Sequence, residues 1–175
     1  RDAPMTSLDQ REQKAKSVWS DFASLENFSE TAAPRLVKFA DTNANNIVLD
    51  VACGTGVIAL AAARCGASVT GADLALFDKT RQKNSKIIDL NVDFHSWDVE
   101  DLPFEDASFY VVVSQFGHMF AHRPSVALSE MLRGHKPNGT IAFSTWPPAL
   151  FMWSFFQINA KYGPPPPEGA KSPVL

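Results

Sequence analysis

Short apolar runs alternate with amphipathic stretches along most of this chain, and the alternation predicts strands and helices in turn. The predicted strands are short and rich in branched or aromatic residues, and they cover residues 47–52, 68–73, 92–95, 109–114 and 140–145. The predicted helices carry apolar residues every three or four positions and cover residues 57–64, 76–86 and 124–135. Strands and helices that alternate at this spacing indicate βαβ units, so we expect an α/β fold with a mostly parallel sheet.

Two of the predicted helices have a clear apolar face. The face of the first consists mainly of small residues, which allows close approach to a sheet, and comprises Ile58, Ala61, Ala62 and Cys65. The face predicted on helix 124–135 comprises Leu128, Met131, Leu132 and His135. Between that helix and the last strand, Pro137, Asn138 and Gly139 predict a turn.

The whole chain, residues 1–175, is predicted to be a single domain in three parts. Apolar residues keep helical spacing through residues 8–40, with a break at Pro34, which predicts an N-terminal helical extension in two pieces. The strands and helices of the core occupy residues 47–146. Residues 147–175 are expected to begin a lid or a C-terminal segment.

Composition and charge narrow the class of protein. A chain of 175 residues can bury a sizeable core, and its net charge is −3 with both signs interspersed, which gives no electrostatic footprint for nucleic acid. No apolar run approaches a membrane span, and the start lacks the apolar core of a signal peptide. Cys53 and Cys65 have no metal-ligand spacing around them, so we predict reduced thiols, no metal site and a cytoplasmic protein.

A glycine-containing loop follows the first predicted strand, in the segment D-V-A-C-G-T-G-V-I-A at residues 50–59. Gly54 and Gly56 would let this strand-to-helix turn approach a ligand, and the next helix would present free backbone N–H groups to it. The G-x-G-x-x-A spacing, with Asp73 about 20 residues further on, also fits a dinucleotide-binding fingerprint. A tight turn without a ligand is the alternative.

Acidic residues also follow the second and third predicted strands, where parallel sheets bind their ligands. Asp73 could accept hydrogen bonds from both hydroxyls of a ribose, or it could cap the following helix. Asp98 could accept from an adenine amino group while the backbone N–H of Val99 donates to a ring nitrogen. A solvated acidic loop is the alternative for this second segment.

Four motifs in order resemble those of the class I S-adenosylmethionine-dependent methyltransferases, and in particular their small-molecule group known as type 11. The motifs are V-L-D-V-A-C-G-T-G, G-A-D-L, D-V-E-D-L-P-F-E-D-A-S-F and L-R-G-H-K-P-N-G-T-I-A-F-S-T-W, and the similarity spans residues 36–146. The resemblance implies a Rossmann-like, doubly wound core that transfers a methyl group from S-adenosylmethionine to a small molecule. That fold ordinarily ends in two more strands, and nothing after Trp146 has their pattern, so we expect the last strands to be missing. Asn138 replaces a common glycine of the family, and asparagine tolerates a left-handed turn.

The resemblance also implies which residues bind the cofactor. They are Asp50, Ala52, Cys53, Gly54, Thr55, Gly56, Asp73, Leu74, Asp98, Val99, Ser114 and Gln115. The aspartate at 50 and the loop 52–56 would hold the methionyl end, with Ser114 and Gln115 beside it. The aspartate at 73 would take the ribose with Leu74 against adenine, and Asp98 with Val99 would read the adenine edge. The methyl group would then point into a cavity beside residues 117–120.

Candidates for catalysis and for substrate binding lie near the predicted cleft. Methyl transfer needs donor and acceptor in line, and it needs a base only if the acceptor keeps its proton. His118 could be that base, with His122 second, or it could be a loop histidine without a chemical role. The aromatic stretch 150–156 could wall an apolar substrate or pack as a helix on the sheet, and Trp19 and Phe22 could cap the cleft.

Two other functions fit part of this pattern. The first is a nicotinamide-dependent oxidoreductase, which the glycine loop and Asp73 also suit, although Asp50, the Asp98 segment and the lack of a Tyr-x-x-x-Lys pair argue against it. The second is a methyltransferase-like binding module without catalysis. The expected partner is a small-molecule methyl acceptor, with no nucleic acid and no membrane, and an apolar patch at 150–156 could favour a homodimer.

Overall fold

A five-stranded parallel sheet forms the centre of the molecule in this computed structural model, which describes residues 30–74, 90, 92–147 and 151–162. The strands are β1 (Ile47–Val51), β2 (Ser68–Ala72), β3 (Val92–His95), β4 (Phe109–Gln115) and β5 (His135–Ser144). Their order across the sheet is β3-β2-β1-β4-β5, and every neighbouring pair is parallel. This confirms the predicted α/β fold, and the strand order changes direction between β1 and β4.

The helices in the described part of the chain are α1 (Ala33–Phe39), α2 (Val57–Arg64), α3 (Pro124–Gly134) and α4 (Phe151–Tyr162). Helix α1 corresponds to the second piece of the predicted N-terminal extension and carries Pro34 in its first turn. The first piece of that extension, with Trp19 and Phe22, and the helix predicted at 76–86 lie outside the described residues. None of the described helices is long and apolar enough to cross a membrane.

Burial on both faces explains the continuous apolar pattern of β1. Successive strand residues point to opposite faces, so Val48 and Leu49 belong to two different cores. Val48 packs in the cluster that includes Ile58 of α2, whereas Leu49 packs in the cluster that includes Met131 of α3. Helices therefore cover both faces of the sheet, which confirms the doubly wound, Rossmann-like architecture.

The last described strand begins earlier than the sequence pattern predicted. It was predicted at 140–145, but β5 starts at His135, directly after α3, because the backbone pairs with β4 at once. The register then breaks: Phe109 pairs with His135, whereas Val111 pairs with Thr140. The predicted turn around Asn138 is thus a bulge inside the strand, and Asn138 has the expected positive φ of 65°.

The predicted apolar faces of two helices were partly wrong. On α2 the buried residues are Ile58, Ala59, Leu60, Ala62 and Ala63. Cys65, which was placed on that face, is exposed, because the helix ends at Arg64 and its chain turns away. On α3 the buried residues are Ala127, Met131 and Gly134. Leu132 is 57% exposed, and His135 belongs to β5.

Candidate functional site

The predicted site residues gather at the carboxyl ends of β1, β2, β3 and β4. All of them lie within the described residues, and they surround the point where the strand order changes direction. Ligands of open α/β sheets bind in the crevice at this position, because the strand-to-helix loops diverge there to opposite faces. The residues predicted from the sequence therefore share one edge of the sheet, and their contact with a ligand stays a prediction.

The loop after β1 has a strained backbone that opens toward solvent. Ala52, Gly54 and Gly56 have φ values of 56°, 55° and 92°, in the left-handed region that favours glycine. The loop is closed by hydrogen bonds from the Gly56 N–H to the Cys53 carbonyl and from the Cys53 N–H to the Ala72 carbonyl. A Cβ added at Gly54 would meet no atom within 4 Å, so this residue faces open space where a ligand can approach.

The second glycine of the loop also has a packing role that the sequence did not predict. A Cβ at Gly56 would lie 2.6 Å from Cζ of Phe94, and a Cβ at Gly71 would lie 2.7 Å from Cδ1 of the same ring. Phe94 of β3 therefore packs closely against two glycines on neighbouring elements. Gly54 therefore faces open space, whereas Gly56 makes room for this aromatic side chain.

Asp50 stabilises the beginning of α2 from inside the sheet. Its carboxylate is buried, and Oδ2 accepts the backbone N–H of Ala59 at 3.0 Å. The N-cap residue of α2 is Gly56, which has no side chain to cap the helix. Asp50 takes over this task across nine residues of sequence, and a contact between Asp50 and a cofactor stays a prediction.

Asp73 joins the end of β2 to the glycine loop. Its Oδ2 accepts the backbone N–H of Gly54 at 2.8 Å, and its own N–H donates to the carbonyl of His95. The carboxylate therefore lies beside the residue that faces open space, and it is only half-buried. Leu74 is also half-buried and ends this described segment.

Asp98 and Val99 lie in a tight turn after β3. Oδ1 of Asp98 accepts the N–H of Glu100 at 2.9 Å, and the carbonyl of Asp98 accepts the N–H of Asp101 at 3.1 Å. Val99 is buried, with an exposed fraction of 8%. The turn is therefore held by its own hydrogen bonds, and a contact of Asp98 or Val99 with a cofactor stays a prediction.

Ser114 ties the end of β4 to β1 and to the loop that follows. Its Oγ donates to the carbonyl of Val51 at 2.8 Å and accepts the N–H of His118 at 3.0 Å. The residue is fully buried, so its hydroxyl positions the loop, and the predicted contact with a cofactor is untested. Gln115 ends β4 in register with Ser144 of β5.

His118 lies in a 3₁₀ turn (His118–Phe120) with its ring buried beneath the surface. Its exposed fraction is 8%, and the ring centroid lies 4.6 Å from that of Phe143. Among the described residues, Nδ1 of His118 has no hydrogen-bond partner. Burial lowers the pKa of this imidazole below its usual value, because the charged form loses its hydration. His122, the second candidate, is exposed.

An aromatic pair closes the edge of the site formed by β4 and β5. The rings of Phe116 and Trp146 stack with centroids 3.9 Å apart and an interplanar angle of 3°. Phe116 has a positive φ of 56°, and its N–H donates to the carbonyl of Ser144. Gly117 packs directly against Ala52, so the loops after β1 and β4 touch.

Two ion-pair networks beside the site were missed at the sequence level. Glu100 pairs with Arg123, whose Nε donates to Oε2 at 2.7 Å. Arg133 binds Glu130 and also donates to the carbonyls of Leu102 and Phe104. The i, i+3 spacing of Glu130 and Arg133 is a visible signal. The pair Glu100–Arg123 spans 23 residues, and no local pattern marks it.

Comparisons with known proteins identify the family. Residues 48–139 match the family described as methyltransferase domain. An uncharacterized protein of Mycobacterium tuberculosis is 30% identical over 163 residues, which cover 91% of this chain and 60% of that protein. The ubiquinone biosynthesis O-methyltransferase of Pasteurella multocida is 29% identical over 173 residues, covering 89% of this chain and 70% of that enzyme.

A solved structure gives the same architecture. The [4+2]-cyclase SpnF superposes with a TM-score of 0.63 and 25% identity, covering 66% of this chain and 44% of that protein. Together with the strand order and the glycine loop, these findings show that the chain belongs to the class I methyltransferase family. The family match favours this interpretation over a nicotinamide-dependent oxidoreductase. The chain spans about 60% of the length of its mycobacterial relative.

Proposed function

We propose that this chain binds S-adenosylmethionine at the carboxyl edge of its sheet and transfers the methyl group to a small-molecule acceptor. The observation that carries the proposal is the hydrogen bond between the Asp73 carboxylate and the Gly54 N–H. It brings an acid at the tip of β2 next to a glycine that faces open space. An acid at this position can accept the ribose hydroxyls of adenosine, and the open space at Gly54 leaves room for the methionyl part of the cofactor.

The residues present fit the parts of such a cofactor. The carboxylate of Asp73 would accept the ribose hydroxyls, and the turn at Asp98–Val99 would read the adenine edge. The methionyl end would lie over the glycine loop, near the ends of β1 and β4. When bound, this cofactor supplies a methyl group on a positively charged sulfur that a nucleophile can displace.

The chain's own residues would place an acceptor at the loop after β4. Gly117 packs on Ala52 of the glycine loop, so the residues that follow lie close to the cofactor side of the cleft. The stacked rings of Phe116 and Trp146 offer a flat apolar wall there. Much of the rate would come from holding acceptor and donor in line at this wall.

His118 is the proposed proton acceptor for a substrate that carries an O–H or N–H group. Its lowered pKa keeps the imidazole neutral at pH 7, which is the form that can take a proton. Nδ1 has no hydrogen-bond partner within the described residues, so this nitrogen is chemically available once the loop admits a substrate. The proton would move from the acceptor to Nδ1 as the methyl group arrives.

The direct test is transfer of an isotope-labelled methyl group from S-adenosylmethionine to a panel of phenols, enols and amines. We expect a labelled product with at least one acceptor class. Asp73→Ala should raise the KM for S-adenosylmethionine about 100-fold, because two hydrogen bonds to a charged acceptor are lost. Asp93→Ala, which removes an exposed carboxylate on the neighbouring strand β3, is the matched control and should leave the KM unchanged.

The same assay tests the alternative that the chain binds the cofactor without methyl transfer. The fold is shared with a [4+2]-cyclase, and a fold by itself does not specify a reaction. Tight binding of S-adenosylmethionine without labelled product over the whole panel would support this alternative. Product formation that Asp73→Ala suppresses would exclude it.

A further inference from the structure

The turn proposed to bind adenine is connected to helix α3 by an ion pair between Glu100 and Arg123. The N–H of Glu100 donates to Oδ1 of Asp98 at 2.9 Å, so the backbone of Glu100 fixes the carboxylate of Asp98. The side chain of Glu100 extends the other way and binds Arg123. Glu100 therefore joins the turn to a second element.

Glu100 and Arg123 make a two-point contact. Oε1 of Glu100 accepts the backbone N–H of Arg123, and Oε2 accepts Nε of the guanidinium at 2.7 Å. The Glu100 side chain is 7% exposed, whereas that of Arg123 is 63% exposed. A carboxylate buried to this extent needs such partners, so its position is strongly determined.

Arg123, the partner of Glu100, lies at the N-terminus of a helix that is packed firmly on the sheet. Arg123 is the N-cap residue of α3, and its carbonyl accepts the N–H groups of Val126 and Ala127. Helix α3 is fixed to the sheet by Ala127 and Met131, which are fully buried. The N-terminus of a helix also attracts a negative charge, which adds to the hold on Glu100.

A second clamp holds the same loop further along. Oε2 of Glu130 accepts the N–H of Leu102 at 3.0 Å, and Arg133 donates to the carbonyls of Leu102 and Phe104. Within the described part of the chain, no hydrogen bond or ion pair of this clamp involves Asp98 or Val99. The two clamps therefore hold different ends of one loop, and they can be separated by mutation.

We infer that Glu100, held by Arg123, is a positioning residue that sets the register of the Asp98–Val99 turn and so determines the selectivity for adenine over other purines. This inference rests on the proposed function. With the turn in register, Asp98 accepts the 6-amino group and the next N–H donates to N1. A 6-oxo purine reverses both groups, because its O6 is an acceptor and its N1 carries a proton. A 6-oxo purine would therefore place acceptor against acceptor at Asp98 and donor against donor at the Val99 N–H.

The test compares two ligands that differ only in the base: S-adenosylhomocysteine and its deaminated form, S-inosylhomocysteine. Their Kd values are measured by calorimetry on the full chain and on Glu100→Gln, Arg123→Gln and Glu130→Gln. We expect the wild type to prefer the adenine ligand tenfold or more. The preference should fall at least fivefold in Glu100→Gln and in Arg123→Gln, and it should persist in the control Glu130→Gln.

The outcomes separate this inference from the proposed function. A wild type that does not bind S-adenosylhomocysteine contradicts both. Arg123→Gln removes a largely exposed side chain, so it keeps the test valid if Glu100→Gln fails to fold. If the variants weaken both ligands by one factor, or weaken neither, the pair is structural and the inference is wrong.

Discussion

The carboxylate of Asp50 and the backbone N–H of Ala59 lie 3.0 Å apart, so the first strand caps the helix that follows it. The glycine at the N-cap has no side chain for this purpose, and it cannot be replaced freely because its φ is 92°. The buried carboxylate of Asp50 on β1 provides the cap that Gly56 cannot. It satisfies a helix N–H and leaves the glycine loop open on its outer side.

Removing this cap should destabilise the fold. Asp50→Ala leaves the Ala59 N–H unsatisfied inside the protein, and we expect a loss of about 1–3 kcal/mol in the free energy of unfolding. Urea denaturation followed by circular dichroism measures the change. Asp93→Ala, on the exposed side of β3, is the control and should change stability by less than about 0.5 kcal/mol. An equal effect of the two substitutions would contradict the capping role.

The two loop glycines should respond differently to alanine. Gly54→Ala meets no neighbouring atom, so it should cost only the left-handed backbone, about 1–2 kcal/mol. The new methyl group would still enter the open space, and the affinity for S-adenosylhomocysteine should fall. Gly56→Ala would in addition collide with Phe94, so its loss of stability should be larger by about 1–3 kcal/mol.

Thermal unfolding and calorimetry on the two variants separate these effects. We expect Gly54→Ala to lose mainly affinity for S-adenosylhomocysteine, whereas Gly56→Ala should lose mainly stability of the fold. Replacing the Phe94 ring by a smaller side chain, in the double variant Gly56→Ala/Phe94→Leu, should restore part of the stability that Gly56→Ala loses. A Gly54→Ala variant with full affinity would show that the ligand does not approach at this residue.

Much of the fold was predictable because its signals are local. Strands of a parallel sheet that are buried on both faces have continuous apolar sequences. Polar residues at the carboxyl ends of these strands indicated the edge where a ligand would bind. The start of β5 was missed because its first residues pair with β4 before the bulge at Asn138, and that pairing depends on a strand 26 residues earlier in the chain, from Phe109 to His135. Leu132 was misplaced because helical spacing alone does not say which face meets the sheet.

The same distinction between local signals and distant contacts applies to the candidate site. Asp73 and Gly54 were predicted as site residues because a motif carries them together in sequence order. The packing of Gly56 against Phe94 was not predicted, because that ring comes from a different strand. Ser114 was predicted at the cofactor, which stays untested, but the bonds of its hydroxyl to Val51 and His118 were not predicted. Packing and hydrogen bonds between distant segments are invisible to spacing rules.

His118 should make both activity and stability depend on pH. Burial lowers its pKa in the folded state below the unfolded value of about 6.5. The unfolded chain therefore binds the proton more readily, and the stability contribution is complete above pH 6.5 and is lost as the pH falls through the folded pKa. The rate should follow the neutral imidazole and stay level between pH 7 and about 8.

Replacing this ring tests both effects. His118→Phe should remove the part of the acid-dependent stability loss that comes from this residue, and it should lower kcat for acceptors that must lose a proton by about 100-fold. His122→Gln, at an exposed position, is the matched control. Unchanged pH profiles of rate and of unfolding in His118→Phe would contradict the proposed role.

Arg133 should contribute to stability through the loop that it clamps. Its guanidinium donates to Leu102, Phe104, Glu130 and Asp106 at once, and a lysine cannot reproduce that planar array. We expect Arg133→Lys to lower the free energy of unfolding at pH 7 by about 1–3 kcal/mol. The bond to Arg133 lowers the pKa of Glu130, so this contribution is present above the usual carboxyl range and is lost as the pH falls.

Chemical denaturation at pH 7 and at pH 3 measures this dependence. The difference between wild type and Arg133→Lys should shrink as the pH falls through the lowered pKa of Glu130, because the carboxylate then loses the charge that pairs with Arg133. Arg64→Lys, at an exposed position on α2, provides the control and should show no difference at either pH. A difference that stays constant with pH would assign the effect to the loop carbonyls alone.

The central claim is that Asp73 and the glycine loop form a site for S-adenosylmethionine. Calorimetric titration with S-adenosylmethionine, S-adenosylhomocysteine and NAD in parallel tests it most directly, on the wild type, Asp73→Ala and the control Asp93→Ala. We expect the wild type and the control to bind the first two ligands with micromolar Kd values, and Asp73→Ala to lose this binding. Binding of NAD alone, or affinity for S-adenosylmethionine that survives Asp73→Ala unchanged, would contradict it.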